Sequence, residues 1–243
     1  MNDYSFKEMV KISPPNFKNA YFFEKYNPLV SSYLVYSFYK LRISANTVSL
    51  LMTVLAVIAF PLLASQHYLS NLIGVVFLLL SYLLDWCDGS LARFYYNINS
   101  VGEEKTARGK SVGVILDVIY HMVYNISVIL GFTVLLFNKT EDLRYLMIGM
   151  GTALLFLANL AIDNIISRFI QAPPKNQSST SKSFFHLMKN KQKNAGFGPV
   201  KTYLPVLAVL LGIQHYYVPI FFFGYLVYFF TNIVRVLKIS QRC

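Results

Sequence analysis

Long apolar runs fill most of this chain, and two of them carry carboxylates in their interiors. The runs cover roughly residues 46–65, 69–93, 112–137, 143–170, 200–214 and 217–238, and most reach the ~20 residues a helix needs to cross a bilayer. Composition agrees: 55% of the residues are hydrophobic and 14% charged, against about 45–50% apolar and about 25% charged in a soluble domain. The expected fold is an all-α membrane protein with six transmembrane helices. The run at 200–214 is short and flanked by Gly196, Gly198 and Pro199, which makes it the weakest of the six.

Ahead of the first run, residues 1–45 mix aromatic and aliphatic side chains with Lys, Asn and Ser between Phe17 and Tyr39. That pattern predicts an amphipathic helix lying in the membrane interface, opened or interrupted by Pro28. The expected organisation is an N-terminal interfacial segment (1–45) followed by a six-helix domain (46–243), with loops at 94–111 and 171–199.

The formal net charge is +11, which by itself could suit nucleic acid. Its placement argues for a lipid surface instead. Arg93 ends the second run and Lys105, Arg108 and Lys110 precede the third, five lysines fall between the fourth and fifth with Lys201 at the start of the fifth, and Arg235, Lys238 and Arg242 close the chain. The connections near 66–68 and 215–216 have neither Lys nor Arg. The positive-inside rule then places both termini and both long loops in the cytoplasm. Two cysteines, Cys87 and Cys243, offer no disulfide framework.

Asp85 and Asp88 lie in the second run and Asp117 in the third, followed by His121. An ionised carboxylate inside a bilayer costs a few kcal/mol or more, so it faces a cavity, a partner or a cation. Asp85 and Asp88 are three residues apart, and Gly113, Asp117 and His121 are spaced by four, so each set shares one helix face. Antiparallel helices joined at Arg93–Val112 would turn the two sets towards each other. Three carboxylates and an imidazole make an oxygen-rich site for Mg²⁺ or Mn²⁺. Gly89 and Ala92 leave a shallow floor beside the acids, and Arg93 carries a planar fork suited to phosphate. Taken one at a time, the glycines could equally be packing residues and Arg93 a membrane-surface anchor; the full pattern points to a diphosphate site.

These residues resemble the signature of the CDP-alcohol phosphotransferases, Asp-x-x-Asp-Gly-x-x-Ala-Arg followed by Gly-x-x-x-Asp-x-x-x-Asp. Asp85, Asp88, Gly89, Ala92, Arg93, Gly113 and Asp117 match in order. The stretch Ile43-Ser44-Ala45-Asn46-Thr47-Val48-Ser49 stands where the family usually has Pro-Asn-x-x-Thr/Ser. The resemblance implies transfer of a phospho-alcohol group from a CDP-linked donor to a hydroxyl acceptor, with release of CMP, in lipid or glycoconjugate synthesis. It implies that Asp85, Asp88 and Asp117 hold two divalent cations, Mg²⁺ or Mn²⁺. Asp88, Gly89, Ala92 and Gly113 would then bind the nucleotide with Asn46 and Ser49, while Arg93 takes phosphate oxygens. Family members are often homodimers, and no feature of this chain bears on that point.

The chain departs from the pattern twice. His121 replaces the last acid, which the family uses as metal ligand and general base. A neutral imidazole can fill either role, since it binds divalent metals and titrates near ~6.5 when unperturbed. It also removes a negative charge, so the second metal is expected to bind more weakly or to be Mn²⁺ rather than Mg²⁺. The interval from Arg93 to Gly113 is also longer than usual, and its extra residues are expected to form a flap over the site. Two other classes compete with the enzyme: a cation-binding transporter, and an inactive CDP-binding scaffold. Asp163 and Arg168 are weaker candidates, either pairing with each other or contacting the acceptor.

Overall fold

The computed structural model describes residues 4–14, 26–99, 107–171 and 198–240, without the side chains of 99, 107–111, 114, 164–171, 198–202 and 238–240. Among the described residues the fold is entirely helical: α1 (Phe6–Ile12), α2 (Asn27–Lys40), α3 (Ala45–Ala64), α4 (Tyr68–Asn99), α5 (Ala107–Thr140), α6 (Leu143–Gln171), α7 (Gly198–Leu210) and α8 (Gln214–Ser240). Five of these, α3, α4, α5, α6 and α8, are long and apolar enough to cross a membrane. The chain is an integral membrane protein.

Within the described residues the expected span at 200–214 is the 13-residue α7. At 1.5 Å per residue it is about 20 Å long, short of a ~30 Å hydrocarbon core. Its end is set locally. Gly212 takes a left-handed φ of 68°, and the Gly212 and Ile213 amides donate to the Val209 and Ala208 carbonyls, closing the turn glycine favours at a helix end.

The expected loop at 94–111 is narrower than the sequence suggests, because α4 runs to Asn99 and α5 begins at Ala107. With 32 and 34 residues the two helices reach about 50 Å, well beyond the hydrocarbon thickness. Most of the added length therefore continues the helices past the apolar layer. Residues 100–106, which include Glu103, Glu104 and Lys105 of the expected flap, lie outside the described residues, as does most of the expected loop at 171–199.

The N-terminal segment reverses the usual amphipathic pattern. Pro28 opens α2 rather than interrupting it, and the face turned inwards carries Pro28, Ser31, Ser32, Val35 and Tyr39. Tyr26, Leu29, Val30 and Tyr33 face outwards, as they would against lipid. Small inward residues let α2 pack closely on α4, where Cys87 of α4 is fully buried and its thiol donates to the Leu83 carbonyl at 3.3 Å. The short α1 begins with a capping box between Ser5 and Glu8. It is tied to α4 by Asn97 Nδ2, which donates to the Ile12 carbonyl at 2.9 Å.

Helix α3 is the centre of the packing, lying along both α4 and α5. Asn71 fixes its far end by donating to the Leu62, Leu63 and Ser65 carbonyls, satisfying backbone groups that the helix terminus leaves free. A Cβ on Gly131 of α5 would come within 2.8 Å of Leu63 Cβ, so glycine is needed for α5 to approach α3 this closely. Outward residues such as Leu50, Leu51 and Val54 of α3 and Met147, Met150 and Leu154 of α6 are exposed and apolar, the pattern of a lipid-facing surface.

Candidate active site

The turn before α3 determines where the site begins. Arg42 takes a left-handed φ of 56°, the Ile43 amide donates to the Phe38 carbonyl at 2.8 Å, and Ser44 then caps α3 by accepting from the Thr47 amide. This places Asn46 and Ser49 on the first turns of α3. Ser49 Oγ donates to Asp88 Oδ2 at 2.7 Å. Asn46 Oδ1 lies 3.9 Å from where a Gly113 Cβ would be. The head of α3 therefore touches the acidic stretch of α4 on one side and the glycine of α5 on the other.

The inward stripe of α4 runs through Leu84, Cys87, Leu91 and Phe94, all buried. Packing that stripe leaves Asp85 and Asp88 half-buried on a neighbouring face. On α5, Tyr120 and Tyr124 are buried, while the side chains of Asp117 and His121 are 50% and 49% exposed. Donor atoms of Asp85, Asp117 and His121 all lie within 4.8 Å of one another, and His121 Nε2 is 3.5 Å from Asp117 Oδ1. Asp88 is not part of that group; its bond to Ser49 holds it to the side. The structure thus brings together Asp85, Asp117 and His121 but not Asp88. Helices α4 and α5 are held mainly through α3, whose first turns lie beside both.

Electrostatics make this arrangement costly as it stands. Two carboxylates within 4.8 Å cannot both stay ionised cheaply, so the pair is held by a shared proton or by a cation. Among the described residues no Lys or Arg forms an ion pair with Asp85 or Asp117. The donor set fits a divalent cation. Ligands at about 2.0–2.2 Å from one ion stand about 3–4.4 Å apart, so small side-chain rotations suffice.

Arg93 is exposed and folds back along α4, with Nη2 donating to Ser90 Oγ at 2.9 Å. A Cβ on Gly89 would lie 3.4 Å from Arg93 Nη1, so the missing side chain leaves the guanidinium room beside the acids. Ala92 is exposed on the same stretch. Asp163 does not wait for a ligand: it accepts from the Tyr228 hydroxyl at 2.9 Å and from Asn232 Nδ2 at 3.3 Å. The side chain of Arg168 lies outside the described residues.

A family model of the CDP-alcohol phosphatidyltransferases matches residues 42–236, which contain every element of the cleft. The chain belongs to this family. No curated protein and no solved structure matches it. The family's transferase chemistry, in which a phospho-alcohol group leaves a CDP-alcohol, is the activity class the cleft has to serve.

One set of polar residues was not apparent from sequence. Asn125 Nδ2 donates to the His121 carbonyl at 2.7 Å, and its Oδ1 accepts from the Tyr225 hydroxyl at 3.3 Å. Asn159 Nδ2 donates to the Tyr225 carbonyl at 3.1 Å, and Asn232 Nδ2 to Asn159 Oδ1 at 3.2 Å. Arg235 Nη1 ends the series on Asn232 Oδ1 at 3.1 Å. These bonds tie α5, α6 and α8 together directly behind His121. Each of the three asparagines interrupts an apolar run, which is the signal that could have found them.

Proposed function

We propose that the chain transfers a phospho-alcohol group from a CDP-linked donor to a hydroxyl acceptor and releases CMP, in lipid or glycoconjugate synthesis. The observation that carries this reading is the convergence of Asp85, Asp117 and His121 within 4.8 Å in a cleft whose wall also bears Arg93. Asp85, Asp88, Asp117 and His121 would hold divalent cations, two by resemblance to the family. Bound there, such cations supply charge neutralisation on the donor diphosphate and on the departing CMP.

The remaining work falls to the chain's own residues. Gly89, Ala92 and Gly113 leave space for the nucleotide, with Asn46 and Ser49 beside it, and Arg93 takes phosphate oxygens through its fork. The acceptor oxygen bonds to the donor phosphorus that carries the alcohol, and the bond from that phosphorus to the CMP oxygen breaks. The hydroxyl proton passes to the exposed Asp117–His121 pair. One reactant of such a transfer is apolar and the other polar, which suits a cleft near the end of the spans. The distribution of Lys and Arg supports a cytoplasmic location for that end and for both termini.

The test runs the reaction backwards. Purified protein is incubated with CMP, Mn²⁺ and extracted membrane lipids, and products are resolved by mass spectrometry. A new CDP-alcohol is the expected result, and its mass names the donor. CMP binding without product would favour the scaffold, and neither binding nor product the transporter.

A further inference from the structure

We infer that His121 is a cation ligand rather than the general base, and that its nitrogen makes this site select a first-row transition ion over Mg²⁺. The inference rests on the transferase reading for the presence of a cation; the selectivity comes from this chain's own donor set.

His121 Nε2 points towards the carboxylates, 3.5 Å from Asp117 Oδ1, and it belongs to the same 4.8 Å group as Asp85 and Asp117. A nitrogen held there shares its lone pair with whatever the two carboxylates bind. The backbone behind it is fixed: Asn125 Nδ2 holds the His121 carbonyl at 2.7 Å, and Tyr225 holds Asn125. The ring is therefore carried on a braced turn of α5 rather than on a mobile segment.

The three donors are two anionic oxygens and one neutral nitrogen. Mg²⁺ is a hard ion that demands near-octahedral oxygen ligation and gives up water reluctantly. An imidazole donor suits first-row transition ions better, and the site carries one negative charge fewer than a three-carboxylate set would. The third acid nearby, Asp88, is engaged by Ser49 at 2.7 Å and lies outside the group. If the imidazole holds the cation, Asp117 would be the member of the pair left to take the hydroxyl proton.

The experiment measures metal binding directly on the purified full chain in lipid nanodiscs. Mn²⁺ binding is followed by electron paramagnetic resonance, with spin-echo detection of nitrogen coupled to the ion, and Mg²⁺ is titrated as competitor. The expected result is a nitrogen coupling in the wild-type protein and displacement of Mn²⁺ only by a large Mg²⁺ excess. His121→Asp should lose the coupling and close the gap between the two ions by more than about tenfold. Mn²⁺ bound without nitrogen coupling, or displaced by equimolar Mg²⁺, overturns the inference. The wild-type spectrum decides this even if the variant does not fold. CMP-dependent turnover is scored separately with each ion. Equal turnover in Mg²⁺ and Mn²⁺ without nitrogen coupling sinks the selectivity and leaves the transferase reading intact. Nitrogen-coupled Mn²⁺ without any turnover does the reverse.

Discussion

Two polar clusters sit inside the apolar spans of this protein, and they are built on opposite principles. Behind His121, Asn125, Asn159 and Asn232 are 9%, 2% and 0% exposed, and their amides meet hydroxyls, carbonyls and one another across α5, α6 and α8. In front of it, Asp85 and Asp117 bring like charges together in a half-exposed cleft. The first cluster balances donors with acceptors and needs nothing from outside. The second is incomplete as a set of protein groups, and that incompleteness is what marks it as a place for a cation and a ligand. Buried polarity in a membrane helix is thus informative only once its partners are counted.

If the comparison is right, substitutions in the two clusters should move activity and stability in opposite ways. The largest effect is expected for Asp117→Asn or Asp85→Asn. Transfer should fall by about a hundredfold or more, as for loss of a metal ligand, while the melting temperature of the metal-free protein rises because a like-charge contact is relieved. CMP release and thermal unfolding in detergent measure both; a drop in stability together with activity would erase the distinction. His121→Ala should likewise abolish transfer, whereas His121→Asp retains some; full activity of the alanine variant would remove His121 from the site.

Next in size is Ser49→Ala, which frees Asp88 from its 2.7 Å bond. Apparent metal affinity should weaken by about tenfold, read from the Mn²⁺ dependence of turnover. In the balanced cluster, Asn232→Leu should lower stability by about 1–2 kcal/mol, near the upper end for an interhelical hydrogen bond in lipid. Its activity per folded molecule should change little. The smallest effect concerns Glu8, whose carboxylate is held below its usual range by hydrogen bonds from the Ser5 backbone and side chain. A lowered folded value means that the contribution to α1 is present above the ordinary carboxylate range and is lost as pH falls below it. The amide protection of residues 5–12, taken relative to the intrinsic exchange rate at each pH, should therefore fall on acidification, and Glu8→Gln should remove that dependence.

The clefts and spans were legible in the sequence to different degrees, for physical reasons. Asp85, Asp88 and Asp117 stand out because each breaks an apolar run, and helical spacing assigns them to shared faces. Spacing along one helix cannot say which neighbour lies between two others, so the place of α3 beside both α4 and α5, and the Ser49–Asp88 bond, emerged only from the packing. The length of α4 and α5 was underestimated because hydropathy falls where a helix leaves the lipid although its backbone pattern continues. The short α7 was overestimated because an apolar stretch does not reveal the left-handed turn at Gly212 that ends it. The amide cluster escaped because asparagine carries no formal charge and barely dents an apolar average.

Since the head of α3 touches Asp88 of α4 and lies beside Gly113 of α5, it sets the distance between the two helices. Tilting it or sliding it by a fraction of a turn would widen or narrow the opening without altering any acid. Tolerance to substitution should therefore be graded along this helix: low around Asn46 and Ser49, high at Leu50, Val54 and Val57, which face outwards.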